Sequence, residues 1–246
     1  MENKVETKPY SAEGSKKQQI TEMFDNVAHR YDFLNRALSL GIDVWWRKKA
    51  LQTLVEFKPK TVLDVATGTA DVAIMCNEIL KPEKIVGVDI SAQMLAFGDK
   101  KIIEKGLSNV ISLQLSDGEH LPFEDNSFDA VTISYGIRNF EDVEQGLREM
   151  KRVLKDNGQI MVLEFSRPTI FPFKQLFNTY FKYILPIVGR LTSKDPKAYT
   201  YLFESVQTFP DGQDFVNLLV NSGFKNSRCI PLTLGITTIY RAEKLP

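Results

Sequence analysis

The sequence predicts an α/β fold in which an open, mostly parallel sheet carries helices on both faces. Apolar runs at 61–66, 84–89, 110–115, 128–134 and 159–165 read as buried strands, and helical patterns separate most of them. Such alternation builds parallel pairs through right-handed crossovers, which place helices on both faces. The 246 residues suit one domain, and 43% apolar with 25% charged residues is the composition of a globular chain with a real core.

In order along the chain, residues 1–19 are polar and lack the apolar run of a signal peptide. A helix begins near Lys16, where Ile20, Met23, Phe24 and Val27 recur at helical spacing. A second is expected over 43–55, with Asp43 as its N-cap and Trp45, Trp46, Ala50, Leu51 and Leu54 as apolar faces. Residues 70–80 follow the first strand as a helix, and Ser91 caps the helix after the second. A helix over 142–154 and an Asp156-Asn157-Gly158 turn lead into the fifth strand. The alternation then stops. Residues 166–209, with Phe173, Phe177, Tyr180, Phe181 and Ile184 at helical spacing, read as an aromatic insertion or lid. A helix over 210–222 ends at Gly223, and strands 224–230 and 233–242 form a hairpin around Pro231-Leu232. The expected organisation is one domain over 1–246, with an N-terminal helical cap over 1–56 and the insertion over 166–209.

Composition narrows the function. Lysine plus arginine and aspartate plus glutamate number 31 each, so no electrostatic footprint for nucleic acid is expected. Cys76 and Cys229 are far apart and match no metal-ligand spacing, so a reduced, cytoplasmic protein without a metal is expected. The apolar stretch over 171–188 is interrupted by Lys174, Gln175, Asn178, Lys182 and Pro186 and falls short of a bilayer span. It suits a surface on a membrane better than a crossing.

Ligands of open α/β sheets bind beyond the carboxyl ends of the strands. Here the first strand runs into Asp64-Val65-Ala66-Thr67-Gly68-Thr69-Ala70-Asp71, where Gly68 lets backbone approach a ligand closely. Asp89 ends the second strand and suits ribose hydroxyls; Asp117-Gly118 follow the third and suit an adenine amino group. A dinucleotide fingerprint needs three glycines, but Ala66, Gly68 and Asp71 occupy those positions. Asp71 at a helix start would repel a diphosphate. Asp64 and Asp71 would tolerate the ammonium and sulfonium of S-adenosylmethionine, whose carboxylate could use the loop N–H groups.

These segments resemble class I methyltransferases, and more closely the menaquinone/ubiquinone biosynthesis C-methyltransferases. The resemblance runs from about Phe24 to Arg241. It rests on Phe24 to Asp32, Leu34-Asn35, Gly41-Ile42, Leu63 to Asp71, Asp89-Ile90-Ser91, Leu121-Pro122-Phe123, Thr132 to Asn139, Arg152 to Lys155, Leu163 to Ser166 and Tyr199 to Ser205. The Tyr31-to-Asn35, Gly136-to-Asn139 and Leu163-to-Ser166 motifs are the most specific. The resemblance implies a Rossmann-like seven-stranded sheet with a final antiparallel strand, and methylation of a reduced polyprenyl quinone precursor by S-adenosylmethionine. Demethylmenaquinol is the preferred acceptor. A methoxy-polyprenyl-benzoquinol and a non-catalytic S-adenosylmethionine-binding scaffold stand as alternatives. Peripheral membrane contact and a homodimer are left open.

By motif match, Thr69, Asp89, Asp117, Gly118 and Ser134 are implied to contact the cofactor, alongside Asp64 and Gly68 of the first loop. Arg138, Asn139 and Tyr31 are the implied catalytic residues. A hydroquinone carbon becomes nucleophilic as an adjacent hydroxyl loses its proton. Arg138 would then stand beside the developing oxyanion, with Tyr31 donating to it and Asn139 orienting that oxygen or a water. The competing reading of Arg138 is a plain ion pair with Glu141 or Asp142. His29 and His120 read as surface and turn residues.

Overall fold

The computed structural model describes residues 7–11, 13–180, 183 and 197–246. Phe181 and Ile184 of the expected aromatic stripe lie outside them. Seven strands form one sheet: β1 (Thr61–Val65), β2 (Lys84–Asp89), β3 (Ile111–Leu115), β4 (Phe128–Ser134), β5 (Leu154–Phe165), β6 (Lys225–Leu232) and β7 (Thr237–Glu243). Their spatial order is β3-β2-β1-β4-β5-β7-β6. The first five pair in parallel, and β7 runs antiparallel between β5 and β6. Strand order reverses between β1 and β4, so a crevice opens at their carboxyl ends.

Burial follows from composition. The four residues from Val62 to Val65 are all buried, as in a strand covered on both faces. One core layer joins β1, β4 and β5 to α6 (Val143–Val153) and α9 (Gln213–Asn221). The other packs α3 (Ile42–Gln52) and α4 (Asp71–Leu80) on the opposite face. Cys76 lies in that second layer, where burial pushes its thiol up; Cys229 is half-buried, and both are free.

One cap forms where the sequence places it, at Ser91, and Asp142 supplies another at the start of the helix expected there. Ser91 Oγ accepts from Met94 N at the start of α5 (Ala92–Glu104), and Asp142 Oδ1 accepts from Gln145 N at the start of α6. Asp43 is not a cap. Gly41, with φ of 79°, precedes the helix, and Asp43 lies buried in its first turn. The hairpin turns at Thr233–Gly235, two residues beyond the expected place. Pro231 lies within β6, an edge strand that pairs only with β7, where the missing N–H is tolerated.

The N-terminal segment folds over the crevice as α1 (Lys16–Val27) and α2 (Tyr31–Leu38). The insertion contributes α7 (Phe173–Thr179) and α8 (Lys197–Thr208). Tyr180 donates to Leu38 O at 2.7 Å, and Leu34, Phe177, Tyr199 and Val206 share a small core. Insertion and N-terminal helices thus close on each other above the sheet.

Candidate active site

A narrow cleft of about 60 Å³ opens beyond β1, β2 and β4. Gly68, Asp89, Asp117, Gly118 and Ser134 line it beneath Lys17, Ile20 and Phe24 of α1. Gly68, at φ of 57°, donates its N–H to Asp89 Oδ2 at 2.8 Å, and Ser91 N donates to Oδ1 at 2.9 Å. Burial pushes the Asp89 carboxyl up, against the pull of these donors. At Asp117, burial acts upward, but Lys17 Nζ at 2.6 Å and the N–H of Glu119 outweigh it and hold the carboxyl down. Ser134 Oγ is buried and has no hydrogen-bond partner among the described residues. A Cβ on Gly118 would come within 2.6 Å of Phe140 and 2.9 Å of Val65, so the turn after β3 sits flush on the core.

Beside the cleft lies a larger cavity of about 600 Å³, within the range of small-molecule sites. Its wall is mostly apolar, with Leu34, Leu38, Trp46, Phe165, Phe177 and Tyr199 among its residues. Polar groups gather on part of it: Tyr31, Asp43, Arg47, Tyr135 and Arg138. Phe24, Tyr31 and Tyr135 line both cavities, so the two meet there. Tyr135 has φ of 59°, uncommon for a bulky residue, and its N–H is held by Leu163 O at 2.7 Å. Burial pushes the Tyr31 phenol up; Arg47, a hydrogen bond with Asn35 and Arg138 act the other way.

The predicted residues divide. Arg138 reaches the large cavity, but its partner is neither Glu141 nor Asp142. Glu141 accepts from Ser15 Oγ and Lys17 N at the start of α1, and Asp142 caps α6. Arg138 Nη1 instead donates to Glu164 Oε1 at 2.8 Å and to Tyr135 O, while its guanidinium carbon lies 5.6 Å from the Phe165 ring centre. Asn139 lines the small cleft rather than the large cavity, with its Oδ1 accepting from Tyr201 at 3.1 Å. Asp64 is below the cleft: Thr67 and Thr132 each donate to it at 2.6 Å, and burial pushes it up to about 6. Thr69 is buried and bonded to Asp32 at 2.6 Å. Asp71 is engaged by Lys101 at 2.6 Å, Arg47 at 3.2 Å and Arg36 at 3.4 Å, so its charge is already matched within the protein. His29 and His120 are exposed, the latter 3.3 Å from Asp117. Among the described residues no His, Cys, Asp or Glu group is placed to hold a metal ion, and no helix is long and apolar enough to cross a membrane.

The model of the ubiE/COQ5 methyltransferase family matches residues 12–244. The chain belongs to the ubiE/COQ5 methyltransferase family. Over 237 residues it is 47% identical to the demethylmenaquinone methyltransferase of Bacteroides fragilis, covering 96% of this chain and 97% of that one. It is 45% identical to the ubiquinone/menaquinone biosynthesis C-methyltransferase of Geotalea daltonii, covering 93% and 97%. A SAM-dependent methyltransferase from Thermotoga maritima aligns with TM-score 0.65 at 17% identity, covering 92% and 99%; it shares the fold.

In this ubiE/COQ5 family member, four residues shape the site without having been singled out from the sequence. Glu164 is the one acid in the apolar run 159–165, and that oddity was a usable signal. Tyr135 lies inside the Thr132-to-Asn139 motif. Arg47 and Lys17 sit in helical patterns that read as solvent faces, and nothing local betrays their inward contacts.

Proposed function

We propose that this protein transfers the methyl group of S-adenosylmethionine to a ring carbon of demethylmenaquinol, yielding menaquinol. The observation that carries the reading is the junction at Phe24, Tyr31 and Tyr135, where a polar cleft with nucleoside-type donors and acceptors meets an apolar cavity. The names of the Bacteroides and Geotalea relatives supply the quinone class.

The chain's residues fit a nucleoside methyl donor. Asp89 suits two ribose hydroxyls, Asp117 an adenine amino group, and the orphaned Ser134 hydroxyl lacks a partner that a ligand would supply. When bound, S-adenosylmethionine supplies an electrophilic methyl group on a sulfonium. As folded the cleft holds only about 60 Å³, and it opens to the larger cavity at Phe24, Tyr31 and Tyr135.

In the larger cavity Tyr31, kept protonated by burial, donates to the quinol oxygen next to the reacting carbon. Arg138 stabilises the negative charge that grows there as the hydroxyl proton leaves. Asn139, on the cleft side and braced by Tyr201, orients the donor or a water at the junction. With the donor bound, the ring carbon would take the methyl as its bond to sulfur breaks, and the ring proton would then be lost while the oxygen regains one, so that a single proton is released overall and the aromatic quinol is restored. The apolar walls exclude water from this exchange. The prenyl tail leaves past Leu176 and the exposed Leu40, a rim suited to resting on a membrane surface.

Incubation with methyl-labelled S-adenosylmethionine and chemically reduced demethylmenaquinone tests the reading. Label on the quinone ring by mass spectrometry is expected. Absence of label despite measurable donor binding would refute it.

A further inference from the structure

Two guanidiniums lie on the wall of the large cavity, and each is only half used. Arg138 spends Nη1 on Glu164 and Tyr135. Arg47 likewise spends Nη1 alone, on Asp71 at 3.2 Å, with Asp43 at 3.5 Å. Among the described residues, Nε of both is buried without an acceptor, and no hydrogen bond from Nη2 of either is seen. The side-on edge formed by Nε and Nη2 is the fork that arginine offers to oxygen ligands. A buried N–H without an acceptor is costly and calls for a partner.

The acids beside Arg47 do not account for it. Asp71 already receives Lys101 at 2.6 Å and Arg36 at 3.4 Å. Asp43 receives Ser39 Oγ at 2.7 Å and Arg36 at 3.3 Å. Asp71 would therefore remain paired without Arg47, and Asp43 would keep Ser39 and Arg36, although its Oδ2 makes no hydrogen bond among the described residues. The opposite does not hold, since those two acids are what let a buried guanidinium exist beside an apolar cavity. Tyr31, Arg47 and Arg138 line the same cavity, and both cations act on the Tyr31 phenol, so both stand near the place assigned to the reacting oxygen.

We infer that Arg47 is a second substrate-contacting residue, which holds the quinol oxygen para to the one beside Arg138 and so selects acceptors that carry two ring oxygens. This rests on the quinol reading given above. Asp43 and Asp71 act as positioning residues that fix the Arg47 fork. A ring with one oxygen satisfies Arg138 and leaves Arg47 as it is now, with buried N–H groups unpaired.

The test compares a prenylated naphthalene-1,4-diol with the matching 1-naphthol that lacks the 4-oxygen. Affinities are read anaerobically by quenching of tryptophan fluorescence, since Trp46 lines the cavity. The wild type should prefer the diol by about 10- to 100-fold, the range of one charge-assisted hydrogen bond. In Arg47→Met the diol should fall to the naphthol's affinity, with donor binding retained. Arg47→Lys keeps the charge beside Asp43 and Asp71 and should keep only part of the preference, which covers the case where Arg47→Met does not fold. Equal losses for diol and naphthol in either variant, or a wild type indifferent to the second oxygen, would overturn the inference. Label transfer to the diol by the wild type, run in parallel, separates the two ideas: its absence defeats the quinol reading, whereas its presence with an unchanged preference in the variants defeats only the role of Arg47.

Discussion

Glu164→Gln probes the pair on which the oxyanion role proposed for Arg138 depends. Glu164 has no exposed surface, and the Arg138 side chain is 8% exposed, with Nη1 and Oε1 2.8 Å apart. Unit charges about 4 Å apart at an effective dielectric near 20 attract by about 4 kcal/mol, and breaking a buried pair costs about 3–5 kcal/mol. Burial pushes the Glu164 carboxyl above its ordinary range even with Arg138 and two backbone N–H groups pulling it down. The pairing therefore does not fully offset the cost of burying the acid, and glutamine removes that cost. The lower end, about 3 kcal/mol, is the expected loss. For a chain of this size that is a fall of roughly 6–12 °C in Tm, measured by calorimetry. Turnover should fall by about 100-fold as the guanidinium loses its anchor, in line with removal of one oxyanion donor. Donor affinity should hold, because neither residue lines the small cleft. A variant that melts within about 1 °C of the wild type and turns over within about twofold would refute the reasoning.

Two other expectations follow from burial and packing. Asp64 is pushed up to about 6 by burial, so its contribution to folding is complete below about pH 4 and disappears as pH rises through 6. A rise from 3.8 to about 6 corresponds to about 3 kcal/mol, which the wild type should lose between pH 4 and pH 8 and Asp64→Asn should not; urea unfolding of both at the two pH values decides, and parallel pH profiles would count against the assignment. Gly118→Ala drives a methyl to within 2.6 Å of Phe140, whose ring already presses on Gly146. Its stability should fall by about 1–3 kcal/mol, with weaker donor binding by titration calorimetry as Phe140 shifts in the cleft wall.

What the sequence reveals here is what neighbouring residues decide. The strands announce themselves because parallel strands are apolar throughout, and the cap at Ser91 because its side chain bonds an N–H three residues on. Asp43 misleads by the same logic. It has the right residue type, but Gly41 takes the left-handed turn first, and the carboxyl faces Arg36 and Arg47 instead. The helix α2 escapes notice because it is only eight residues long and buries only Leu34, so Tyr31, Leu34 and Leu38 repeat too few times to stand out. Pro231 suggests a turn, and only the knowledge that β6 is an edge strand removes the suggestion. Within the site, Asp89, Asp117, Gly118 and Ser134 reach the cleft because strand ends fix them. Thr69 and Asp71 do not, since Asp32, Lys101, Arg36 and Arg47 arrive from distant helices and take their side chains.

The balance of charge around the larger cavity bears on how it would favour an ionised acceptor. Arg138 is matched by Glu164, and Arg36, Arg47 and Lys101 are matched by Asp32, Asp43 and Asp71. A site with unmatched cations would hold a quinolate tightly, but the fold would bear the cost of buried, uncompensated guanidiniums. Here the acids remove that cost while each occupies only one nitrogen of the Arg47 and Arg138 forks. The remaining N–H groups are directional and interact weakly with a neutral hydroxyl. They interact more strongly as negative charge develops on the oxygen, and the apolar walls keep water from screening the change. Stabilisation thus grows between ground state and transition state, which is the condition for raising turnover and not merely affinity.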